Sequence, residues 1–434
     1  MQVVILAGGK GTRLGHLTRS VPKPMVLLAG KPILEYQIDL ARECGFTEVL
    51  LLTGHLGEVI EDYFRDGRDW GVSIRYHRES SPLGTAGSLK EVEDQLEESF
   101  LVCYGDMVMN VDLQELVRFH SLHKPLATLV VHPNNHPEES DLVELDATGR
   151  VKAFHPKPRQ GDEYYRNCAN SALYVISSGL LRFIGRGQLA DLGRDILPEV
   201  VRAGQTLWGY DTPEFIEDVG TPIRLEETER DMLSGKFARL SRKTPRGAVF
   251  LGRDGVLNAA VERWTSAEQL QLLPGAAAAI RRINQSEYLT VVVSNQPAVA
   301  RGWLSEAELE RIHARLDTQL GAARAYLDRV CYCPHDPAPG MAGGLPEYQV
   351  SCPCRKPAPG MILAATAEMN IDLARSWMVG DRTDDIEAGK RAGCRTILLR
   401  TGQGGGDGER LCRPDFVCAD LPAAAQLLLG PASP

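Results

Sequence analysis

Short apolar runs and longer stretches of helical spacing alternate along the first half of the chain. Val3–Ala7, Glu48–Thr53, Phe100–Tyr104 and Ala127–His132 predict strands, and Pro32–Cys44 and Asp112–Leu122 predict helices. This βαβ rhythm predicts a mostly parallel sheet with helices on both faces. The rhythm starts again at Ala248–Leu251, Leu289–Ser294, Ser376–Val379 and Thr396–Leu399. Between the two series lies Glu226–Arg242, charged and helix-like, at the end of which the chain reads Arg-Lys-Thr-Pro-Arg-Gly. The expected fold is therefore α/β in two domains, residues 1–236 and 247–430, joined by a linker over 237–246. No internal repeat of fixed period is seen. Thr401–Glu409 is rich in glycine and is expected to be a mobile loop.

At about 150 residues per domain, the 434 residues suggest about three domains or two larger ones. With 43% hydrophobic and 24% charged residues, the composition is that of a globular protein with a sizeable core. A net charge of −9 argues against a nucleic-acid surface. It leaves room for a nucleotide, because one small site needs only a few local cations. No apolar run is long enough to span a membrane, and Met1–Arg13 lacks the basic start of a signal peptide. A cytoplasmic location follows as an expectation. The ten cysteines are then reduced, and a tight Cys/His cluster points to a metal sooner than to disulfides.

The first chemical motif is Leu6-Ala7-Gly8-Gly9-Lys10-Gly11-Thr12-Arg13-Leu14, followed by Pro22-Lys23-Pro24. A strand feeds a glycine turn, where backbone N–H groups can approach an anion closely. Arg13 and Lys23 supply fixed positive charge for a polyphosphate. The Walker pattern is absent, and Leu14 stands where a dinucleotide fingerprint needs its third glycine.

The string resembles the signature of the sugar nucleotidyltransferase family, GGxGTRL…PKP, and the resemblance extends over most of residues 1–235. It implies nucleotide contacts by Leu6, Gly8, Gly9, Gly11 and Thr12, and by Gly84 and Thr85 of the base-recognition loop Pro82–Gly87. It also implies Mg²⁺ ligands at Asp106 and Asp218, a lysine on the sugar phosphate at Lys157, and a sugar-facing strand around Asn170. A sugar phosphate oxygen would attack the α-phosphorus of an NTP in line, with Arg13 and Lys23 steadying the leaving pyrophosphate. The family often has Glu just before that lysine, where it contacts sugar hydroxyls. Here the residue is Pro156, so the resemblance does not fix the sugar.

Residues 248–258 end an apolar strand in Gly252-Arg253-Asp254-Gly255. This resembles the Asp-x-Asp-Gly motif of the haloacid dehalogenase-like phosphatases. The resemblance implies Asp254 as general acid/base and metal ligand, Ser294 and Lys356 on the phosphate, and Asp381 and Asp385 holding Mg²⁺. It is nearest to the branch acting on D-glycero-D-manno-heptose 1,7-bisphosphate. Asn295-Gln296, with Arg301-Gly302, matches that branch and implies substrate contacts by Asn295, Arg301 and Arg355. Its zinc loop would be Cys333, His335, Cys352 and Cys354, with Cys331 as an alternative ligand. The departure is Gly252, which stands at the position of the aspartate nucleophile and cannot form a phospho-enzyme.

Taken together the two resemblances imply Rossmann-like halves, a Mg²⁺-dependent nucleotidyltransferase and a Mg²⁺-dependent phosphatase stiffened by structural Zn²⁺. The phosphatase's product would be the transferase's substrate. The expected partners are an NTP, with GTP favoured, and sugar phosphates, with neither nucleic acid nor membrane; self-association stays open. The competing readings are a transferase carrying a non-catalytic sugar-phosphate-binding module, and a regulatory protein with neither activity.

Overall fold

The computed structural model describes residues 1–9, 11–159, 163–338, 343–408 and 413–430. The chain forms two compact units. The first comprises Met1–His132, Ser140–Lys157 and Cys168–Arg242; the second comprises Pro133–Glu139, Pro158–Asn167 and Lys243–Pro434. The short segments 133–139 and 158–167 thus group with the second unit although the chain on either side of them belongs to the first.

The first unit is built on a nine-stranded sheet. Ser99–Tyr104, Val3–Ala7, Glu48–Thr53 and Ser73–Arg78 lie side by side in that order, all parallel. The first three are buried on both faces, which is why they read as continuous apolar runs, whereas Ser73–Arg78 lies at the sheet edge. The sheet continues through Ala169–Ser177, which runs antiparallel to both Ser99–Tyr104 and Ala127–His132. Ile33–Glu43 covers one face with Leu34, Ile38 and Ala41. Leu113–His123 starts from a cap in which the Asp112 carboxylate accepts the Gln114 and Glu115 N–H groups. Off the main sheet, Met107–Asn110 pairs antiparallel with Phe215–Asp218. The expected helix over Glu226–Arg242 is Pro222–Leu233 followed by a short turn of helix at Lys236–Arg239. The break falls at Gly235, whose φ of 77° is left-handed.

The second unit has a six-stranded, wholly parallel sheet. Its order is Arg329–Cys333, Leu289–Asn295, Ala248–Leu251, Trp377–Gly380, Arg395–Leu399 and Phe416–Cys418. Ala276–Asn284, Glu306–Ala322 and Leu421–Leu429 close one face, and Gly360–Met369 and Thr383–Ala392 the other. Gly252, Asn295 and Asp381 therefore sit at the carboxyl ends of three adjacent strands, where parallel sheets place their ligands. No helix among the described residues is long and apolar enough to cross a membrane.

Candidate active sites

The strand Val3–Ala7 runs into the glycine turn at one wall of a cavity of about 360 Å³. Leu6, Gly8, Gly9, Gly11, Thr12, Arg13 and Lys23 line it on that side, and Gly84, Thr85 and Asp106 on the other. Lys10 lies outside the described residues. Gly84 has a φ of 70°, and a Cβ there would lie 2.4 Å from the Ala190 carbonyl oxygen, so only glycine lets this loop close on its neighbour. Thr85 fixes the same junction. Its hydroxyl donates to Asp191 at 3.1 Å and accepts the Leu192 N–H at 2.7 Å.

The two-stranded ribbon brings the expected metal ligands together. Asp218 pairs with Met107, next to Asp106, and the Val219 N–H donates to the Asp106 carbonyl at 3.2 Å. Lys23 Nζ lies 2.5 Å from Asp106 Oδ2 and 3.4 Å from Asp218 Oδ1, and Arg224 holds the other oxygen of Asp218 at 3.0 Å. The Lys23 side chain is 8% exposed whereas the two aspartates are 29% and 30% exposed. Two carboxylates that meet one ammonium are close enough to share a divalent cation. Mg²⁺ is usually held in this way, by one or two carboxylates and the substrate's phosphates. The donor set fits.

Arg13 reaches the same place: a Cβ on Gly220 would lie 2.9 Å from Asp218 Oδ1 and 3.1 Å from Arg13 Nη2. Lys157 feels these charges. Desolvation lowers its pKa, with Arg194 and Arg13 adding to the effect and Asp141 and Asp218 opposing it. Its N–H donates to Asp141 Oδ1 at 2.9 Å. Asn170 stands on the adjacent strand, its Nδ2 3.2 Å from the point a Cβ on Gly193 would occupy.

Glu79, Asp141 and Arg224 were not legible as site residues. Glu79 lines the cavity, hydrogen-bonded to Ser88, and burial pushes its carboxyl up while Ser88 pulls it down. A carboxylate three positions ahead of Pro82 was the available signal.

In the second unit Asp254 is held from three sides. Arg253 donates at 2.9 Å, Asn258 at 2.8 Å and Gln296 at 3.0 Å. Burial raises its pKa, but Arg253 and the hydrogen bonds outweigh that and hold it below the ordinary value. Arg253 itself is 1% exposed, stacks over Trp264 and faces His313 Nε2 at 3.3 Å. Nothing in the motif itself marks this arginine, whose part comes from its burial. Gln296 also donates to Ser294 Oγ at 2.7 Å. Lys356 Nζ lies 2.6 Å from Asp385 Oδ1, and Asn295 clamps the Lys356 backbone with two 3.0 Å hydrogen bonds.

Asp381 is pushed up to about 6, first by burial and then by repulsion from Asp385. A pair of carboxylates in that condition suits a divalent cation. Gly255, with φ of 78°, makes room for Asp381, since a Cβ there would lie 2.3 Å from Asp381 Oδ2. The glycine-rich segment from Thr401 is fastened here as well. Thr401 donates to the Gly255 carbonyl at 2.6 Å, Gln403 N–H to Asp381 at 2.8 Å, and Gly405 N–H to the Asp381 carbonyl at 2.8 Å. Glu409, at the end of the segment expected to be mobile, lies outside the described residues. At the motif's first position, a Cβ on Gly252 would meet Val256 Cγ2 at 3.0 Å and Asp385 Oδ2 at 3.6 Å.

Cys333, His335, Cys352 and Cys354 form one cluster, with ligand atoms all within 4.8 Å of one another; Cys331 is outside it. Their contacts run from 3.1 to 3.5 Å. A zinc–sulfur bond of about 2.3 Å gives a tetrahedral edge of about 3.8 Å, so the group needs only a small expansion to hold Zn²⁺. The cluster anchors Asp336, on which Arg301 at 2.9 Å and Arg355 at 3.6 Å converge. Arg355 also donates to the His335 carbonyl at 2.6 Å.

The nucleotidyl transferase family matches residues 2–235, and the HAD-hydrolase-like family matches residues 353–424. The chain is 41% identical over 187 residues to the D-glycero-D-manno-heptose-1,7-bisphosphate 7-phosphatase of Thermosynechococcus vestitus, covering 42% of this chain and 95% of that one. It is 32% identical over 248 residues to the UTP–glucose-1-phosphate uridylyltransferase of Synechocystis sp., covering 54% of this chain and 64% of that protein's length. It is 34% identical over 258 residues to the probable mannose-1-phosphate guanylyltransferase 3 of Oryza sativa subsp. japonica, covering 58% of this chain and 70% of the relative. The first half of the chain belongs to the nucleotidyl transferase family, and the second half is a phosphatase-like domain of the HAD family fused to it.

Proposed function

We propose that the first unit, within residues 1–236, transfers NMP from an NTP to a sugar 1-phosphate, releasing pyrophosphate. The observation that carries this reading is the meeting of Lys23, Asp106 and Asp218 at the edge of the glycine-walled cavity. A phosphate oxygen of the sugar attacks the α-phosphorus, the bond to the β-phosphate bridging oxygen breaks, and pyrophosphate departs with the electron pair. The attacking phosphate is already largely ionised near pH 7, so no protein base is required. Lys157 places the attacking phosphate, and Arg13 and Lys23 stabilise the charge that gathers on the leaving group. Mg²⁺ held by Asp106 and Asp218 would neutralise the triphosphate.

GTP is the favoured nucleotide. Glu79 offers acceptors only, and guanine presents two adjacent donors, N1–H and the N2 amine, on its Watson–Crick edge. D-glycero-D-manno-heptose 1-phosphate is the favoured sugar, because the second unit, within residues 247–430, resembles an enzyme whose product it would be. That unit binds the heptose 1,7-bisphosphate through Ser294, Asn295, Arg301, Arg355 and Lys356. Asp254, Asp381 and Asp385 would hold its Mg²⁺, and the Cys/His cluster a structural Zn²⁺. It turns the bisphosphate over barely or not at all, since Gly252 has no carboxylate to attack with. We place the enzyme in the cytoplasm.

A phosphorus NMR time course tests the reading, with Mg²⁺, a panel of NTPs and either heptose 1-phosphate or the 1,7-bisphosphate. Pyrophosphate and a new diphosphate diester from the 1-phosphate with GTP are expected. The absence of a diester with every NTP would sink the transferase assignment for this sugar, and rapid orthophosphate from the bisphosphate would sink the silence of the second site.

A further inference from the structure

The phosphate end of the sugar site is well supplied with cations, but a sugar is recognised by its hydroxyls. Position 156, directly ahead of Lys157, is proline and offers no side-chain donor or acceptor. The carboxylate that the fold brings beside Lys157 comes from elsewhere in the chain: Asp141 opens the strand Leu142–Leu145, and its Oδ1 accepts the Lys157 N–H at 2.9 Å. Its Oδ2 faces Arg194 Nε at 3.4 Å, and its carbonyl accepts the Asn170 N–H at 3.0 Å. The Asp141 side chain is 31% exposed, so lone pairs remain open to a ligand.

The chemistry limits what that ligand can be. A carboxylate only accepts hydrogen bonds, and an ionised phosphate has no hydrogen to give it. Asp141 repels the phosphate and must face a part of the substrate that carries O–H groups. The neighbourhood has the matching character. The point a Cβ on Gly193 would fill is 3.2 Å from Asn170 Nδ2, 3.5 Å from Asp191 Oδ1 and 3.7 Å from Tyr174 Oη, so donors and acceptors from the strand Ala169–Ser177 and from the start of the helix at Leu192 meet there. Lys157 thus lies within electrostatic reach of Arg13 and Asp218 as well as of Asp141 and Arg194, and Asp141 joins it to Asn170 through hydrogen bonds.

We propose that Asp141 is a specificity-determining residue of the transferase, the acceptor for a ring hydroxyl of the sugar 1-phosphate in place of a side chain at position 156. The inference rests on the reading of the first unit as a sugar-1-phosphate nucleotidyltransferase.

The test is initial-rate kinetics of the full chain and of Asp141→Asn, which keeps an oxygen for the Lys157 N–H but loses the charge. The probes are heptose 1-phosphate, mannose 1-phosphate and the monodeoxy mannose 1-phosphates. The expected result is a KM for the sugar 1-phosphate raised about tenfold with the KM for the NTP unmoved. One deoxy analogue that the original chain penalises should lose its penalty in the variant, the non-additivity of two groups in contact. An unchanged sugar KM, equal rises in both KM values, or identical analogue penalties in the two proteins would each overturn the role of Asp141 while leaving the transferase reading standing. If the original chain forms no nucleotide sugar from any probe, that reading falls and this inference with it.

Discussion

Both units set a lysine against a pair of aspartates, and they do so differently. In the first, Lys23 bridges Asp106 and Asp218, and the aspartates are 29% and 30% exposed at the mouth of a cavity. In the second, Lys356 and Asp385 are 7% and 3% exposed, beside Asp381, to which the glycine-rich loop is hydrogen-bonded. Both arrangements can balance the charge of a phosphate. The chemistry asked of them differs, because nucleotidyl transfer takes its nucleophile from the substrate, and charge in the right place suffices. Phosphomonoester hydrolysis in the HAD manner takes its nucleophile from the protein, and on the proposed reading the missing carboxylate at Gly252 silences it although Asp254, Lys356, Asp381 and Asp385 remain.

The sharpest way to break that contrast is Gly252→Asp. Orthophosphate release from heptose 1,7-bisphosphate should rise by on the order of 10³-fold or more, read by NMR or a dye assay. The new Cβ would lie 3.0 Å from Val256 Cγ2, so the fit is tight, and adding Val256→Ala should raise the gain further. No release from either variant would mean that the second unit's charges do not form a phosphatase site. In the first unit the contrast predicts a loss in place of a gain. Asp106→Asn or Asp218→Asn should lower kcat/KM for nucleotidyl transfer by about 10²- to 10³-fold with the melting temperature little changed. Full turnover in both variants would show that these carboxylates are bystanders. The smallest effect is structural. Purified protein should carry about one zinc per chain, and Cys352→Ser should remove it, lowering the melting temperature by about 5 °C without touching nucleotidyl transfer. A folded, zinc-free original chain of unchanged stability would dispose of the metal.

The sequence revealed what is local and strongly apolar. Val3–Ala7, Glu48–Thr53, Ala127–His132 and Ala248–Leu251 stand out because each is a buried run flanked by turn or helix signals. Ser73–Arg78 and Phe416–Cys418 escaped notice because they are edge strands with polar or exposed positions. The same distinction holds at the sites. The glycine turn, the Asp-Gly pairs and the Cys/His spacing are contiguous patterns with a chemical meaning. Asp141 and Arg253 gained their meaning only when folding placed one against Lys157 and buried the other against Asp254 and Trp264. The ribbon that joins Asp106 to Asp218 is likewise a long-range pairing with no local signature.

The grouping of residues 133–139 and 158–167 with the second unit has a practical bearing on how the molecule can be taken apart. Within that unit Arg166 meets Asp317 at 2.7 Å and Glu310 at 2.8 Å, and the Asp317 side chain is only 5% exposed. Scissors applied once, between Arg242 and Lys243, would send the arginine away with one fragment and strand the buried acid in the other. The gene offers a single obvious seam, but the chain passes from one unit to the other five times, and separately expressed halves would inherit each other's loose thread.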